Sequence, residues 1–156
     1  MSTTPTCFDV ERIGKVAHLR LNRPDAYNSM TREFWSELPA LVRELDDDGT
    51  VRAIVISSTG KHFSAGMDLA VFTGGGGDAL GGAATDGSRA EEGRVRARLM
   101  QSVRLLQDSF TALERVRMPV IAAIQGGCIG GAVDMVSACD LRYASADAFF
   151  CVQEIN

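Results

Sequence analysis

The stretch Val120-Ile121-Ala122-Ala123-Ile124-Gln125-Gly126-Gly127-Cys128-Ile129-Gly130-Gly131-Ala132-Val133-Asp134 decides how this chain reads. Val120–Gln125 has the composition of a buried strand. Glycines at a strand-to-helix turn let main-chain N–H groups face outward with no side chain in the way. The small-residue segment from Val133 to Cys139 reads as a helix, with Asp134 in its first turn, where an acid suits the helix dipole. Such a turn suits an anion, either a phosphate or a developing oxyanion. Tight turns and close helix packing would call for the same glycines, and spacing alone leaves both readings open. Twenty residues beyond Asp134, after another apolar run, stands a second acid, Glu154.

The flanking sequence supplies the frame. Towards the N-terminus, Arg94–Val116 is the longest helix candidate, with Val95, Leu99, Leu106, Phe110 and Leu113 on one face, broadened by Val103 and ended by Met118-Pro119. Residues 73–93, with Gly74–Gly77 and Gly81-Gly82, read as a mobile loop within one domain. Val51–Ser57 reads as a buried strand of a parallel or mixed sheet. A polar loop, Ser58–Leu69, then enters a short helix. Thr31 is the expected N-cap of a helix over Arg32–Leu45, whose apolar face is Phe34, Leu38, Leu41, Val42 and Leu45. Pro39 predicts a kink or local break there, and Asp46–Gly49 a solvated turn. Phe8–Asn22 predicts two strands around Gly14-Lys15. Beyond Asp134, short strands are expected over Leu141–Ala144 and Ala148–Gln153. Strands alternating with helices give an α/β class, read as a single domain over residues 1–156.

Composition narrows the function. At 46% hydrophobic and 23% charged residues the chain is globular rather than disordered. Its net charge of -4 argues against nucleic acid as a partner. No apolar run is long enough to span a bilayer, so no membrane partner is expected. The polar start, Met1–Thr6, has neither a signal-peptide h-region nor an Arg-rich amphipathic pattern, and Gln153–Asn156 is no familiar sorting tag; a cytoplasmic location is the resulting expectation. Cys7, Cys128, Cys139 and Cys151 lack CxxC spacing, and His18 and His62 are the two histidines. A metal site is not expected, and the thiols read as reduced and structural. Arg89, Arg94, Arg96 and Arg98 form the one basic cluster, read as a solvated helix face or as a contact to a ligand phosphate. No GxxxxGK[ST] or G-x-S-x-G motif is present. The candidate acid–base groups left are carboxylates, Asp134 and Glu154, the latter with Phe149, Phe150, Val152 and Ile155 as possible apolar walls.

Four segments, Leu21–Pro24, Phe63–Leu69, Pro119–Gly126 with the glycines after it, and Ala138–Arg142, together resemble the crotonase (enoyl-CoA hydratase/isomerase) superfamily, in order and spacing, along nearly the whole chain. Gly126–Asp134 and Asp147–Phe150 look most like its dienoyl-CoA isomerase branch. The resemblance implies a crotonase-like (ββα)n spiral core whose C-terminal helical part is missing. It implies an acyl-CoA thioester as substrate, with coenzyme A as part of that substrate and no separate cofactor. The backbone N–H groups of Met67 and Gly131 would form an oxyanion hole, in which loss of one donor costs roughly 3 kcal/mol of barrier. Asp134 and Glu154 would be the catalytic carboxylates, Glu154 as a proton-transferring acid/base and Asp134 as a second site carboxylate that orients a water or the substrate. Ala26, Ala65, Gly66, Asp68, Leu69 and Gly130 would line the substrate and CoA site. Full-length relatives would form homotrimers or hexamers.

The sequence departs from the isomerase pattern twice. A further catalytic Asp, expected downstream of Glu154, would lie beyond Asn156, and the basic residue expected after Arg23-Pro24 is replaced by Asp25-Ala26-Tyr27. The leading expectation is a dienoyl-CoA isomerase. The alternatives are a 2-enoyl-CoA hydratase and, outside the enzymes, a truncated CoA-binding or interaction fragment with little activity of its own.

Overall fold

Phe8–Ile13 (β1) and Val16–Leu21 (β2) form the expected antiparallel hairpin around Gly14-Lys15. The computed structural model describes residues 5–73 and 89–153. Most of the loop expected over residues 73–93 therefore lies outside the described residues, as does Glu154. Beyond the hairpin, Ala53–Ser58 (β3), Val120–Ile124 (β4) and Leu141–Ala144 (β6) join β2 in parallel, giving one sheet of order β1-β2-β3-β4-β6. The register sets Ala17 opposite Ile54, Leu19 opposite Ile56, and Ile56 opposite Ala122. These side chains share the buried face, because alternate residues of a strand point the same way.

A second, smaller sheet lies beside the first. Gly127–Ile129 (β5) pairs in parallel with Phe149–Cys151 (β7). Single parallel bridges, Ser64 to Cys128 and Met30 to Met67, extend it to the two preceding turns of the chain. From β2 onward each large-sheet strand is thus followed by a segment in the small sheet, and helices fall between successive pairs. Those helices are Arg32–Asp48 (α1), Ala70–Thr73 (α2), Arg89–Arg115 (α3) and Gly131–Ser137 (α4). That is the (ββα)n spiral. The sequence reading missed β5, which it took for part of a glycine turn, and it began α4 two residues late and α3 five residues late.

The core lies between the large sheet and the helices. Phe34, Leu38, Val42 and Leu45 of α1 are buried against Leu19, Ile54 and Ile56 of the sheet, together with Leu113 of α3 and Met135 of α4. The expected stripe on α3 is buried only in its C-terminal part: Leu99 and Val103 are exposed, whereas Leu106 and Phe110 pack against the core.

The structure corrects the expectation at Pro39. Helix α1 runs unbroken through it to Asp48 and ends at Gly49, which adopts a left-handed conformation (φ 67°). The Asp46–Asp48 turn is therefore the last turn of the helix. A proline at position 39 has no N–H for the carbonyl four residues back, that of Trp35. The buried hydroxyl of Ser109 on α3 donates to that carbonyl at 2.9 Å. The neighbouring helix thus satisfies the acceptor that proline would leave orphaned. Ring contact between Trp35 and Phe110, with centroids 5.2 Å apart, packs the same two helices together.

The four cysteines are unpaired, and Cys7, Cys128 and Cys139 are buried, as expected of structural thiols. Burial pushes the Cys128 thiol up to about 12, with a smaller contribution from Cys139, and burial pushes Cys139 up to about 12 as well.

Ser109→Ala should destabilise by about 1–3 kcal/mol in denaturant melts, the cost of an unsatisfied buried carbonyl. In a Pro39→Ala background, where residue 39 regains its N–H, the same substitution should cost at least about 1 kcal/mol less; a double-mutant cycle reads the coupling directly. For the thiols, the folded-state values lie above the ordinary value of 9.0. The unfolded chain therefore loses these protons first as pH rises. Their contribution is fully present below about pH 9 and is lost between about pH 9 and 12. Alkaline melts should show this loss, and it should shrink in a Cys128→Ala, Cys139→Ala variant. With a disulfide reagent near neutral pH, the half-buried Cys151 should react before the other three.

Candidate active site

Two peptide groups define the site. The Gly66 carbonyl accepts the Met30 N–H at 2.8 Å, and the Asp68 N–H donates to the Met30 carbonyl at 3.1 Å. In a planar trans peptide the N–H points opposite to the preceding C=O. The Met67 N–H is therefore directed away from Met30. The second group follows β5. The Gly130 N–H donates to Cys151 O of β7 at 2.9 Å, and the Gly130 carbonyl accepts the Val133 N–H at 2.7 Å inside the first turn of α4. The Gly131 N–H is thereby directed away from the helix. Among the described residues, neither the Met67 nor the Gly131 N–H has a hydrogen-bond partner.

The two groups are held close by Gly66. Its φ is +80°, and a Cβ added there would overlap the Ile129 carbonyl and lie 3.3 Å from the Gly131 nitrogen. Glycine is required at this position by both conformation and space. A Cβ on Gly131, by contrast, would meet only Met30 Sδ at 3.4 Å and the Trp35 ring at 3.9 Å.

A buried polar network that the sequence reading missed sits behind this junction. Ser64 is fully buried; its hydroxyl donates to the Asn28 carbonyl at 2.8 Å and accepts the Gly66 N–H at 3.1 Å. Asn28, also buried, adopts a positive φ of 52°. Its side chain accepts the Arg23 N–H at 2.8 Å and donates to the Thr59 carbonyl at 2.7 Å and the His62 carbonyl at 3.2 Å. The sequence signals were slight: a serine two residues before a glycine, and an asparagine, which tolerates left-handed backbone.

The remaining expected residues fall as follows. Asp134 lies on α4, three residues after Gly131, and is exposed on the rim of a groove of about 500 Å³. Trp35 of α1, Leu106 and Phe110 of α3, and Ser137 and Ala138 line that groove. Ala26 ends a short 3₁₀ turn, where its N–H donates to Arg23 O and its carbonyl accepts the Ser29 N–H. The exposed Ala65 donates its N–H to Tyr27 O at 2.9 Å. The Asp68 carboxylate accepts the Ala70 N–H at 3.0 Å and the Ser29 hydroxyl at 2.8 Å. These bonds, the Ala70 N–H first, hold its carboxyl below the usual carboxylate range. Leu69 is 76% exposed. Arg94, Arg96 and Arg98 are exposed on α3, and Arg96 pairs with Glu92 at 2.5 Å. The structure thus brings together Gly66, Met67, Gly130 and Gly131, with Asp134 one helical turn away. Phe149, Phe150 and Val152, expected as walls for Glu154, are each about half exposed.

Comparison with known proteins fits this geometry. The enoyl-CoA hydratase/isomerase family matches residues 11–156. A peroxisomal Delta(3,5)-Delta(2,4)-dienoyl-CoA isomerase of Arabidopsis thaliana is 40% identical over 142 residues, 90% of this chain and 48% of that protein. A mitochondrial enzyme of the same name from Rattus norvegicus is 42% identical over 141 residues, 90% of this chain and 41% of that one. The chain thus spans less than half the length of these curated relatives. The crystal structure of an enoyl-CoA hydratase/isomerase from Xanthobacter autotrophicus Py2 superposes with a TM-score of 0.79 at 27% identity, over 97% of this chain and 51% of that one. The relatives overturn the cytoplasmic expectation, since they are assigned to peroxisomes and mitochondria. That expectation rested on overall composition and chain ends, whereas organelle addresses are short segments read by receptors. With its fold, its sequence and the closely set Gly66 and Gly131 all in agreement, this chain belongs to the enoyl-CoA hydratase/isomerase family.

Proposed function

We propose that this chain carries the thioester-activating site of an acyl-CoA isomerase, one that shifts the conjugated double bonds of a dienoyl-CoA. The observation that carries the reading is the pair of N–H groups, Met67 and Gly131, that lack a partner among the described residues and are held together by the close approach of Gly66. A thioester oxygen accepting from both would gain most when it becomes an enolate oxygen, so the pair stabilises charge that develops during proton removal. In this reading Glu154 is a proton-transferring acid/base and Asp134, one helical turn from the Gly131 donor, is the second site carboxylate, the two together serving the proton transfer. The groove beside Asp134, walled by Trp35, Leu106 and Phe110, suits an apolar acyl chain. The names of the 40–42% identical relatives favour a dienoyl substrate. Coenzyme A enters as part of the substrate, with Ala26, Ala65, Gly66, Asp68, Leu69 and Gly130 at its approach. The backbone bonds of Ala26 and Ala65 and the carboxylate bonds of Asp68 give these residues a mainly shaping role.

A second reading, hydration of a 2-enoyl-CoA, is favoured by the family match and by the Xanthobacter structure. The two are separated by giving the natural full-length protein a 3,5-dienoyl-CoA and a 2-enoyl-CoA. Isomerisation is followed by the ultraviolet absorbance of the product diene, and hydration by loss of the enoyl absorbance. The isomerase reading expects the dienoyl substrate to have the higher kcat/KM by at least about tenfold; the reverse order would sink it. Asp134→Asn should lower kcat by about 10²–10⁴-fold with KM changed little, as for loss of a general acid–base group.

A further inference from the structure

We propose that Ser64 is a positioning residue for the reaction: its buried hydroxyl, clamped between the Asn28 carbonyl and the Gly66 N–H, sets the direction of the Met67 N–H donor. The proposal rests on the oxyanion role given above to Met67 and Gly131.

The donor direction at Met67 depends on the orientation of the Gly66–Met67 peptide plane, and two bonds hold Gly66. On its carbonyl side the Met30 N–H fixes the plane at 2.8 Å. On its amide side the Ser64 hydroxyl accepts at 3.1 Å, closing a turn two residues long. Glycine at φ +80° has no side chain of its own to restrain it. Without Ser64, its amide would be a buried donor lacking its acceptor, and the turn could rotate to find another.

Ser64 is itself immobile. It is fully buried, and its hydroxyl proton is committed to the Asn28 carbonyl at 2.8 Å. Its own backbone pairs with the segment that leads to the second donor: Ser64 N–H to Gly127 O, and Ile129 N–H to Ser64 O, both at 3.1 Å. One residue therefore ties the Met67 turn through its side chain and the Gly131 turn through its main chain. Asn28 anchors the other end, its side chain bonded to Arg23, Thr59 and His62. Ser64 does not face substrate, so its effect should appear in the transition state rather than in binding.

The test uses the natural full-length protein and a dienoyl-CoA, with turnover kinetics and the thioester carbonyl stretch of the bound ligand by Raman difference spectroscopy. Polarisation by two N–H donors lowers that frequency on binding. Ser64→Ala should lower kcat by about 10–100-fold, the scale of a misplaced catalytic contact, with KM changed by less than about threefold. The carbonyl shift should shrink in parallel. Ser64→Thr, which keeps the hydroxyl, should recover most of both. Ser64→Cys, close in size to serine with a weak acceptor, should fold and fall between Thr and Ala. Equal kcat and carbonyl shift in wild type and Ser64→Cys would overturn the role given to Ser64 alone. A wild-type protein that binds the thioester without shifting its carbonyl frequency would instead overturn the oxyanion reading, and this proposal with it.

Discussion

Gly66 is pressed so closely against the junction of β5 and α4 that no side chain fits between them. Much of the local architecture follows from that contact. Strand β5 is three residues long and rich in small side chains, too short to be stable by itself. It persists because Ser64 pairs with it on one side and β7 on the other. The same pairing brings the Met67 turn beside the start of α4, and the backbone bonds of Met30 and Gly130 leave one N–H of each turn without a partner among the described residues. The open donors are therefore a product of chain topology: two successive turns of the spiral meet where each ends its small-sheet segment.

A second constraint shapes the groove. Helix α1 contains Pro39, and the carbonyl this frees is taken by Ser109 of α3. The bond fixes the two helices in register along their length, with Trp35 against Phe110. Those two rings are also walls of the groove whose rim carries Asp134. A defect in one helix is thus converted into a specific docking point for another, and the docking point lies beside the site.

Much of this was legible in the sequence, for identifiable reasons. The β-branched alternation of Val16–Leu21 and Val51–Ser57, and the apolar run at Val120, are signals of period and composition, and the large sheet follows from them. The glycines around Gly130 pointed to outward N–H groups. What was hidden depends on partners distant in the chain. Strand β5 owes its pairing to Ser64 and Phe149–Cys151, so its glycines looked like turn alone. Pro39 predicted a break because its compensating hydroxyl lies 70 positions away on α3. Ser64 and Asn28 looked like ordinary loop residues, since burial, the property that makes their hydrogen bonds consequential, is a tertiary fact. The bonds of Ser29 and Ala70 to the Asp68 carboxylate were hidden for the same reason. The exposure of Asp134 also differs from the dry setting that sequence reasoning favours for an acid–base carboxylate.

That exposure fits the proposed reaction once the substrate is included. Helix α4 carries the Gly131 donor and the Asp134 carboxylate three residues apart, on neighbouring positions of one face and about 4.5 Å along the axis. In the proposed reaction a thioester oxygen seated at Gly131 would let the acyl chain run past Asp134 into the groove lined by α1 and α3. An apolar chain in that groove would then displace water from the carboxylate, and loss of water makes a carboxylate a stronger base. The exposed carboxylate would become drier when the acyl chain is present. In the proposed reaction, donor and carboxylate on one short helix would tie activation of the thioester to desolvation of the base, because the same bound molecule would perform both.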